Sequence, residues 1–221
     1  MDPSINFNKY PLELTSVAVG GKSLELYRVE NIDSAVNRLA VEGESYIKSF
    51  PLWVKVWEAS LVLADHLCQV EAEGPKNILE LGAGMGVVGL LLGALGHRVT
   101  ITDYDTDALE LLRINAQHNG LDNVTVHKLD WKAPDLEKAY DVICGAEIVY
   151  KESAIDPIIR LIEQYLRSDG VAYMAHNIQR MYMFKFMGAA SERFHLGNQT
   201  KTMRGETETH RILINTIRKK G

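Results

Sequence analysis

From residue 77 onward the chain repeats one pattern: a short apolar run, a turn, then a stretch with helical spacing. Apolar strands are read at 77–81, 98–102, 124–129, 140–146 and 171–176, and helices at 87–95, 107–119 and 154–166. Gly96, Gly120 and the pair Asp169-Gly170 supply the stops. Neighbouring parallel strands need a long crossover, and a helix is the usual one. The alternation therefore predicts an α/β fold, doubly wound, with a mostly parallel sheet and helices on both faces.

The two ends of the chain break this rhythm. Runs at 12–19 and 23–29 are rich in strand formers and flank Gly20-Gly21, a hairpin signal. Residues 32–46 are mixed and read as a loop or short helix. After Pro51, Trp53, Val56, Trp57, Ser60, Leu61, Ala64 and Leu67 recur at helical spacing, and Gly74-Pro75 should end that helix. Near the C-terminus, 193–196 and 211–217 read as two strands joined by a polar connection, hence antiparallel. The expected organisation is an N-terminal β-hairpin elaboration over 1–50, packed on the core, and one domain over 51–221.

Composition narrows the function. A net charge of −5 weighs against binding driven by bulk positive charge, so no nucleic acid and no membrane surface is expected as partner. Two cysteines, Cys68 and Cys144, cannot build a disulfide framework and read as buried free thiols of a reducing compartment. The first residues carry no basic stretch followed by an apolar one, and the longest apolar run, 87–96, is about half of a bilayer span. The expectation is a cytoplasmic monomer.

The chemistry gathers at strand ends. Glu80-Leu81-Gly82-Ala83-Gly84-Met85-Gly86 lies where a strand turns into a helix. Glycines there let the backbone turn tightly and approach a ligand, and the helix offers free N–H groups. Gly84, Gly86 and Gly89 also satisfy a dinucleotide pattern. Asp103 closes the second strand and can accept from ribose hydroxyls, which suits NAD and S-adenosylmethionine alike. Glu80 separates the two. A carboxylate at the turn repels a pyrophosphate and attracts a ligand that carries an ammonium and a sulfonium. Too little chain remains for the second domain of a dehydrogenase. Asp130 can accept from an adenine amino group, and the Trp131 indole can stack on a purine. Ala146, small, leaves room at the fourth strand's tip, and Glu147 and Tyr150 face the open edge beyond it. Ligands of open parallel sheets bind beyond the carboxyl ends of the strands, where all these groups fall.

On these residues the chain resembles the seven-β-strand class I methyltransferases. More narrowly, it is similar to the METTL-type protein-lysine methyltransferases, a group sometimes labelled nicotinamide-methyltransferase-like. The matching segments are Val56-Trp57-Glu58-Ala59-Ser60, Glu80 to Gly84, Thr102-Asp103, Leu129-Asp130-Trp131 and Gly145 to Tyr150, with the closing stretch from Arg211 to Lys220. The resemblance implies a seven-strand sheet whose last strand is antiparallel. It implies S-adenosyl-L-methionine as cofactor over 51–221, with Trp57 contacting it from the N-terminal helix and Gly82 and Gly84 along its methionine part, beside Glu80 and Gly86. Asp103 would hold the ribose, Asp130 and Trp131 the adenine, and Ala146 the middle. It further implies a protein lysine as acceptor, met by Glu147 and Tyr150, where the group's usual first residue is Asp.

Direct in-line displacement at the methyl carbon is the expected reaction, with the protein supplying positioning and desolvation. Two further readings stay open at this level: methylation of a small amine or other nucleophile, and an inactive module on the same fold that binds a nucleotide or a partner. The 7 histidines show no metal-ligand spacing. His176, at the fifth strand's tip, reads as loop polarity before substrate contact. The run Met181 to Met187 reads first as the buried face of a helix, and second as a substrate surface.

Overall fold

The computed structural model describes residues 11–30, 51–71, 73–205 and 208–221. The segment 32–46, read as a loop or short helix, lies outside the described residues. Two strands, β1 (Leu12–Val19) and β2 (Lys22–Val29), form an antiparallel hairpin. Gly20 and Gly21 both adopt positive φ, +58° and +75°, as the two central positions of a type I′ turn require. A seven-stranded sheet follows, built from β3 (Asn77–Glu80), β4 (Arg98–Asp103), β5 (Val124–Lys128), β6 (Tyr140–Ala146), β7 (Leu166–Asn177), β8 (Phe194–Arg204) and β9 (Thr209–Lys219). Its order is β5-β4-β3-β6-β7-β9-β8. The neighbours from β5 to β7 are parallel, and β9 runs antiparallel between β7 and β8.

Helices cover both faces, which is why the strands read as unbroken apolar runs. On one face lie α1 (Glu58–Val70), α2 (Val87–Ala94), α3 (Thr106–His118) and the hairpin. On the other lie α4 (Ile155–Tyr165) and α5 (Met181–Ser191). The strand period of two sorts the side chains: Ile78, Val142 and Cys144 enter the first core, and Leu79 and Ile143 the second. Helix α2 is buried from Val87 to Gly93. Its fully buried Leu90, Leu91 and Leu92 each contribute about 2 kcal/mol by leaving water. Helix α3 is capped by Asp105, whose carboxylate accepts from Asp107 N–H at 2.8 Å and Ala108 N–H at 3.2 Å. The hairpin docks on α3 through Asn115, which accepts from Tyr27 N–H at 2.8 Å and donates to Tyr27 O at 3.1 Å. Cys68 and Cys144 are buried free thiols.

Three boundaries differ from the sequence reading. Helix α1 begins at Glu58, because Leu52–Val54 forms a separate 3₁₀ turn and Trp57 is extended at the cap. The apolar spacing of Trp53, Val56 and Trp57 reflects burial beside the helix rather than helical turns. Strand β7 begins at Leu166, so Asp169-Gly170 lies in a strand with a shifted register instead of stopping a helix. Strands β8 and β9 are each 11 residues long. The polar stretch between 197 and 210 hid most of this ladder, since an exposed edge strand needs few apolar residues.

The close approach at Gly86 has a measurable consequence. Its φ is +74°, and a Cβ there would lie 2.2 Å from Leu112 Cδ2 on α3. Left-handed strain and overpacking together should destabilise Gly86→Ala by about 3 kcal/mol. Urea unfolding would measure it, and a loss below about 1 kcal/mol would show that the α2–α3 contact yields freely.

Candidate active site

Strands β3, β4 and β5 run outward in sequence, after which the chain returns to set β6 beside β3. Connections therefore leave in opposite directions at the β3–β6 boundary, and a crevice opens beyond the strand tips. Across the sheet the tips present Asp130 and Trp131, then Asp103, then Glu80 with its glycines, then Ala146 and Glu147, and last Asn177 to Arg180.

The glycine turn is built around two carboxylates. Gly82, Gly84 and Gly86 all take positive φ. Glu80 is buried, 3% exposed, and its Oε2 accepts from Gly89 N–H in the first turn of α2 at 2.9 Å. Burial, opposed by that N–H and aided by the charge of Asp103, pushes its pKa up to about 8. Asp103 Oδ2 accepts from Gly84 N–H at 2.9 Å, while Oδ1 accepts from Tyr104 N–H at 2.7 Å and Asp105 N–H at 3.0 Å. Burial raises its pKa above the usual carboxylate range despite those three donors. No basic side chain pairs with either carboxylate among the described residues.

The ring that closes the turn comes from β5. A Cβ on Gly82 would lie 3.1 Å from Trp131 Cζ2 and 2.9 Å from Ile148 Cγ2, so only glycine lets the indole edge sit there. Trp53 presents its backbone 3.3 Å from the Cβ that Gly84 lacks. Asp130 is exposed and accepts from Lys132 N–H at 2.9 Å. Tyr104, 67% exposed, follows Asp103 at the same edge and escapes sequence reasoning, since a lone Tyr after a strand carries no signal.

A second group lies beyond β6 and β7. Glu147 has φ +57°, the one non-glycine positive φ among the described residues. Such a conformation costs about 1–3 kcal/mol and persists only where contacts hold it. Here Glu147 N–H donates to Ala175 O at 2.9 Å, Oε1 accepts from Asn177 N–H at 2.7 Å, and Oε2 accepts from Arg180 Nε–H at 2.9 Å. Trp57 lies with this group. Its indole donates to Leu52 O at 3.1 Å and lies beneath Lys55, 4.8 Å from the ring centre, and Arg180, at 5.6 Å. Trp57, Glu147 and residues 177–180, with Glu58 and residues 208–211 of the β8–β9 end, line a cleft of about 410 Å³. Tyr150 is half-exposed nearby in the chain, with Lys151 Nζ 5.3 Å from its ring centre, but it is not among the residues lining the cleft. His176 is buried, and burial first, then the charge of Arg180, lowers its pKa to about 4. A larger depression of about 490 Å³ runs along α3 and β5. It holds none of the strand-tip groups and follows from the exposed edge of the sheet.

Among the described residues no cluster of His, Cys, Asp or Glu could hold a metal, and no helix is long and apolar enough to cross a membrane.

A family profile described as "Lysine methyltransferase" matches residues 48–193. Protein N-lysine methyltransferase METTL21A of Xenopus tropicalis is 40% identical over 114 residues, 48% of this chain and 51% of that protein. Its counterpart from Danio rerio is 36% identical over 148 residues, 63% and 67% of the two chains. The chain thus spans about half the length of the first curated relative and two thirds of the second. In fold, it is similar to the T. thermophilus 16S rRNA N2 G1207 methyltransferase solved with AdoMet and guanosine. That likeness has a TM-score of 0.66 at 19% identity and covers 95% of this chain and 51% of the other.

Proposed function

The chain belongs to the lysine methyltransferase family, and from that membership we propose an enzyme that transfers the methyl group of S-adenosylmethionine to a lysine side chain of another protein. One observation carries the reading: buried Glu80 and half-buried Asp103, two carboxylates with no cation paired to them among the described residues, flank a turn whose glycines take positive φ. A dinucleotide's pyrophosphate would add negative charge to a site already short of positive charge. A ligand carrying an ammonium and a sulfonium supplies what the site lacks.

The residues fit that cofactor. Gly82 and Gly84 let its chain lie against the backbone, and Glu80, whose Oε1 has no donor among the described residues, faces its ammonium. A carboxylate has about four acceptor sites, and backbone N–H groups fill three at Asp103, so ribose can still bind there. Trp131 and Asp130 take the adenine, Gly86 shapes the helix start, and Ala146 borders the centre. The bound sulfonium is an already activated methyl donor. What the chain adds is placement of a neutral amine about 3–3.5 Å from the methyl carbon, in line with the breaking bond, and exclusion of water. Glu147 and Tyr150 stand on the acceptor side, Glu147 against the amine and Tyr150 along the lysine stem. Trp57 walls this side and, as the resemblance implies, contacts the cofactor from there. The hairpin of Leu12–Val19 and Lys22–Val29 serves as an elaboration on the catalytic domain of 51–221. The proposed enzyme works as a cytoplasmic monomer.

The test is mass spectrometry of a cell lysate treated with the unaltered protein or with Glu147→Gln, which keeps the side chain's shape. New methyl-lysine on defined proteins is expected with the first and at most about a tenth of it with the second. Tyr150→Phe should also lower transfer, and both variants should bind S-adenosylhomocysteine within about twofold of the unaltered protein. New methylation confined to small molecules would replace the protein acceptor by a small amine. Loss of cofactor affinity in both variants would overturn the division between cofactor and acceptor residues.

A further inference from the structure

The acceptor side holds a cation that none of the roles above uses. Arg180 stands one residue before α5, on the turn leaving β7. That turn is fixed locally, since Gln179 N–H donates to Asn177 Oδ1 and Arg180 N–H to Asn177 O, both at 3.0 Å. Its Nε is 2.9 Å from Glu147 Oε2, on a carboxylate 10% exposed, and its Cζ is 5.6 Å from the Trp57 ring centre. Asn177 N–H fills the other oxygen of Glu147. An arriving lysine therefore meets a neutral ion pair instead of a bare carboxylate.

We infer that Arg180 is a positioning residue for methyl transfer: held between Glu147 and Trp57, its guanidinium fixes the carboxylate and cancels its charge, so that the acceptor lysine enters as the neutral amine. The inference rests on the protein-lysine reading above. A lone carboxylate would stabilise the lysine ammonium, whose free pKa is about 10.4, and so withhold the lone pair that attacks. Guanidinium stays charged at every working pH and disfavours a second cation on the same carboxylate. Its charge already acts inside the site, on buried His176. The other charged and titratable groups facing the pair are Lys55 and Glu58 from the approach to α1, and Glu208, His210 and Arg211 from the β8–β9 end. Lys55 pairs with Glu58 at 3.2 Å and His210 with Glu208 at 3.8 Å, while among the described residues Arg180 is the cation in contact with Glu147. In the step, the ammonium first loses its proton to solvent. The amine lone pair then forms the N–C bond as the S–C bond breaks, the electron pair stays on sulfur, and the product is a methylated ammonium.

The experiment compares the unaltered full chain with Arg180→Ala and Arg180→Lys. Each transfers tritiated methyl from S-adenosylmethionine into heat-inactivated cell lysate between pH 6.5 and 9.5, with methyl-lysine confirmed after hydrolysis. Equal Tm and equal S-adenosylhomocysteine affinity establish that a variant is folded, and Arg180→Gln replaces Arg180→Ala if the latter is not. Removing the charge should move the acid limb of the rate profile up by about one pH unit. The rate then falls about tenfold at pH 7 and returns to within about twofold of normal at pH 9.5. Arg180→Lys keeps the cation and should follow the unaltered profile. An Arg180→Ala rate that is unchanged, or reduced equally at every pH, overturns the inference and leaves lysine methylation standing. No methyl-lysine from the unaltered protein at any pH overturns the lysine reading and the inference together.

Discussion

Asp103→Ala is expected to weaken S-adenosylmethionine binding by about 10- to 100-fold, measured by isothermal titration at constant pH. A ribose hydroxyl bonded at the one acceptor site that the backbone leaves on this carboxylate is worth about 1.5–3 kcal/mol, and about 1.4 kcal/mol is a factor of ten. The same substitution also strips Gly84, Tyr104 and Asp105 of the acceptor for their N–H groups. Ligand contact and turn support are therefore removed together, and a second variant has to separate them. Asp103→Asn keeps one carbonyl oxygen for the backbone but loses the charge and half of the acceptor capacity. If ribose is held there, Asn should recover the melting temperature while leaving most of the binding defect. Should Asn restore affinity to within about threefold, Asp103 serves the glycine turn and the ribose is held elsewhere.

The double duty of Asp103 shows where sequence reading ends. Its place at a strand tip follows from the apolar run before it and the helix start after it, both visible in the chain. So do the hairpin at Gly20-Gly21, the stop at Gly96 and the full extent of β6, because periodicity and turn chemistry are local. Partners are not local. Nothing near Glu147 signals a left-handed residue, since glycine, the usual marker of positive φ, is absent there. Its bond to Arg180 joins residues 33 apart and exists only because β6 and β7 end side by side. Helical spacing sets Trp57 inside the first helix, yet its backbone is extended and the helix begins only after it. The run from Met181 to Met187 divides between the two readings given to it. Met183 and Phe186 are buried, as a packed helix requires, while Met181 and Phe184 are 68% and 63% exposed. Carboxylates at strand tips can be counted from the sequence, but whether a cation neutralises them is set by tertiary packing.

Glu80 turns that missing cation into a titration. Its pKa, raised to about 8 chiefly by burial, favours the protonated form in the fold, whereas the unfolded chain ionises near the ordinary glutamate value of 4.5. The stability this group contributes is complete below pH 4.5 and is lost as pH rises through about 8. Every tenfold difference in proton affinity between the folded and unfolded chain is worth about 1.4 kcal/mol. The ligand-free protein should therefore lose several kcal/mol between pH 5 and 9 relative to Glu80→Gln, whose amide does not titrate. His176, with a pKa lowered to about 4, acts in the opposite sense. Its stability is present above about pH 6.5 and is lost as pH falls toward 4, and because both proteins carry it, the comparison cancels it. A cationic ligand reverses the preference of Glu80 and draws it into the ionised form. Binding S-adenosylmethionine at pH 7 should therefore release close to one proton from the unaltered protein and almost none from Glu80→Gln. Titration in buffers of different ionisation enthalpy counts those protons. Equal proton release by the two proteins, or unfolding curves that stay parallel from pH 5 to 9, would mean that Glu80 is already charged in the empty crevice. In that case the attraction for a cation would rest on a preformed anion, and the ligand-free crevice would have to tolerate two adjacent carboxylate charges without the protonation that its burial otherwise demands.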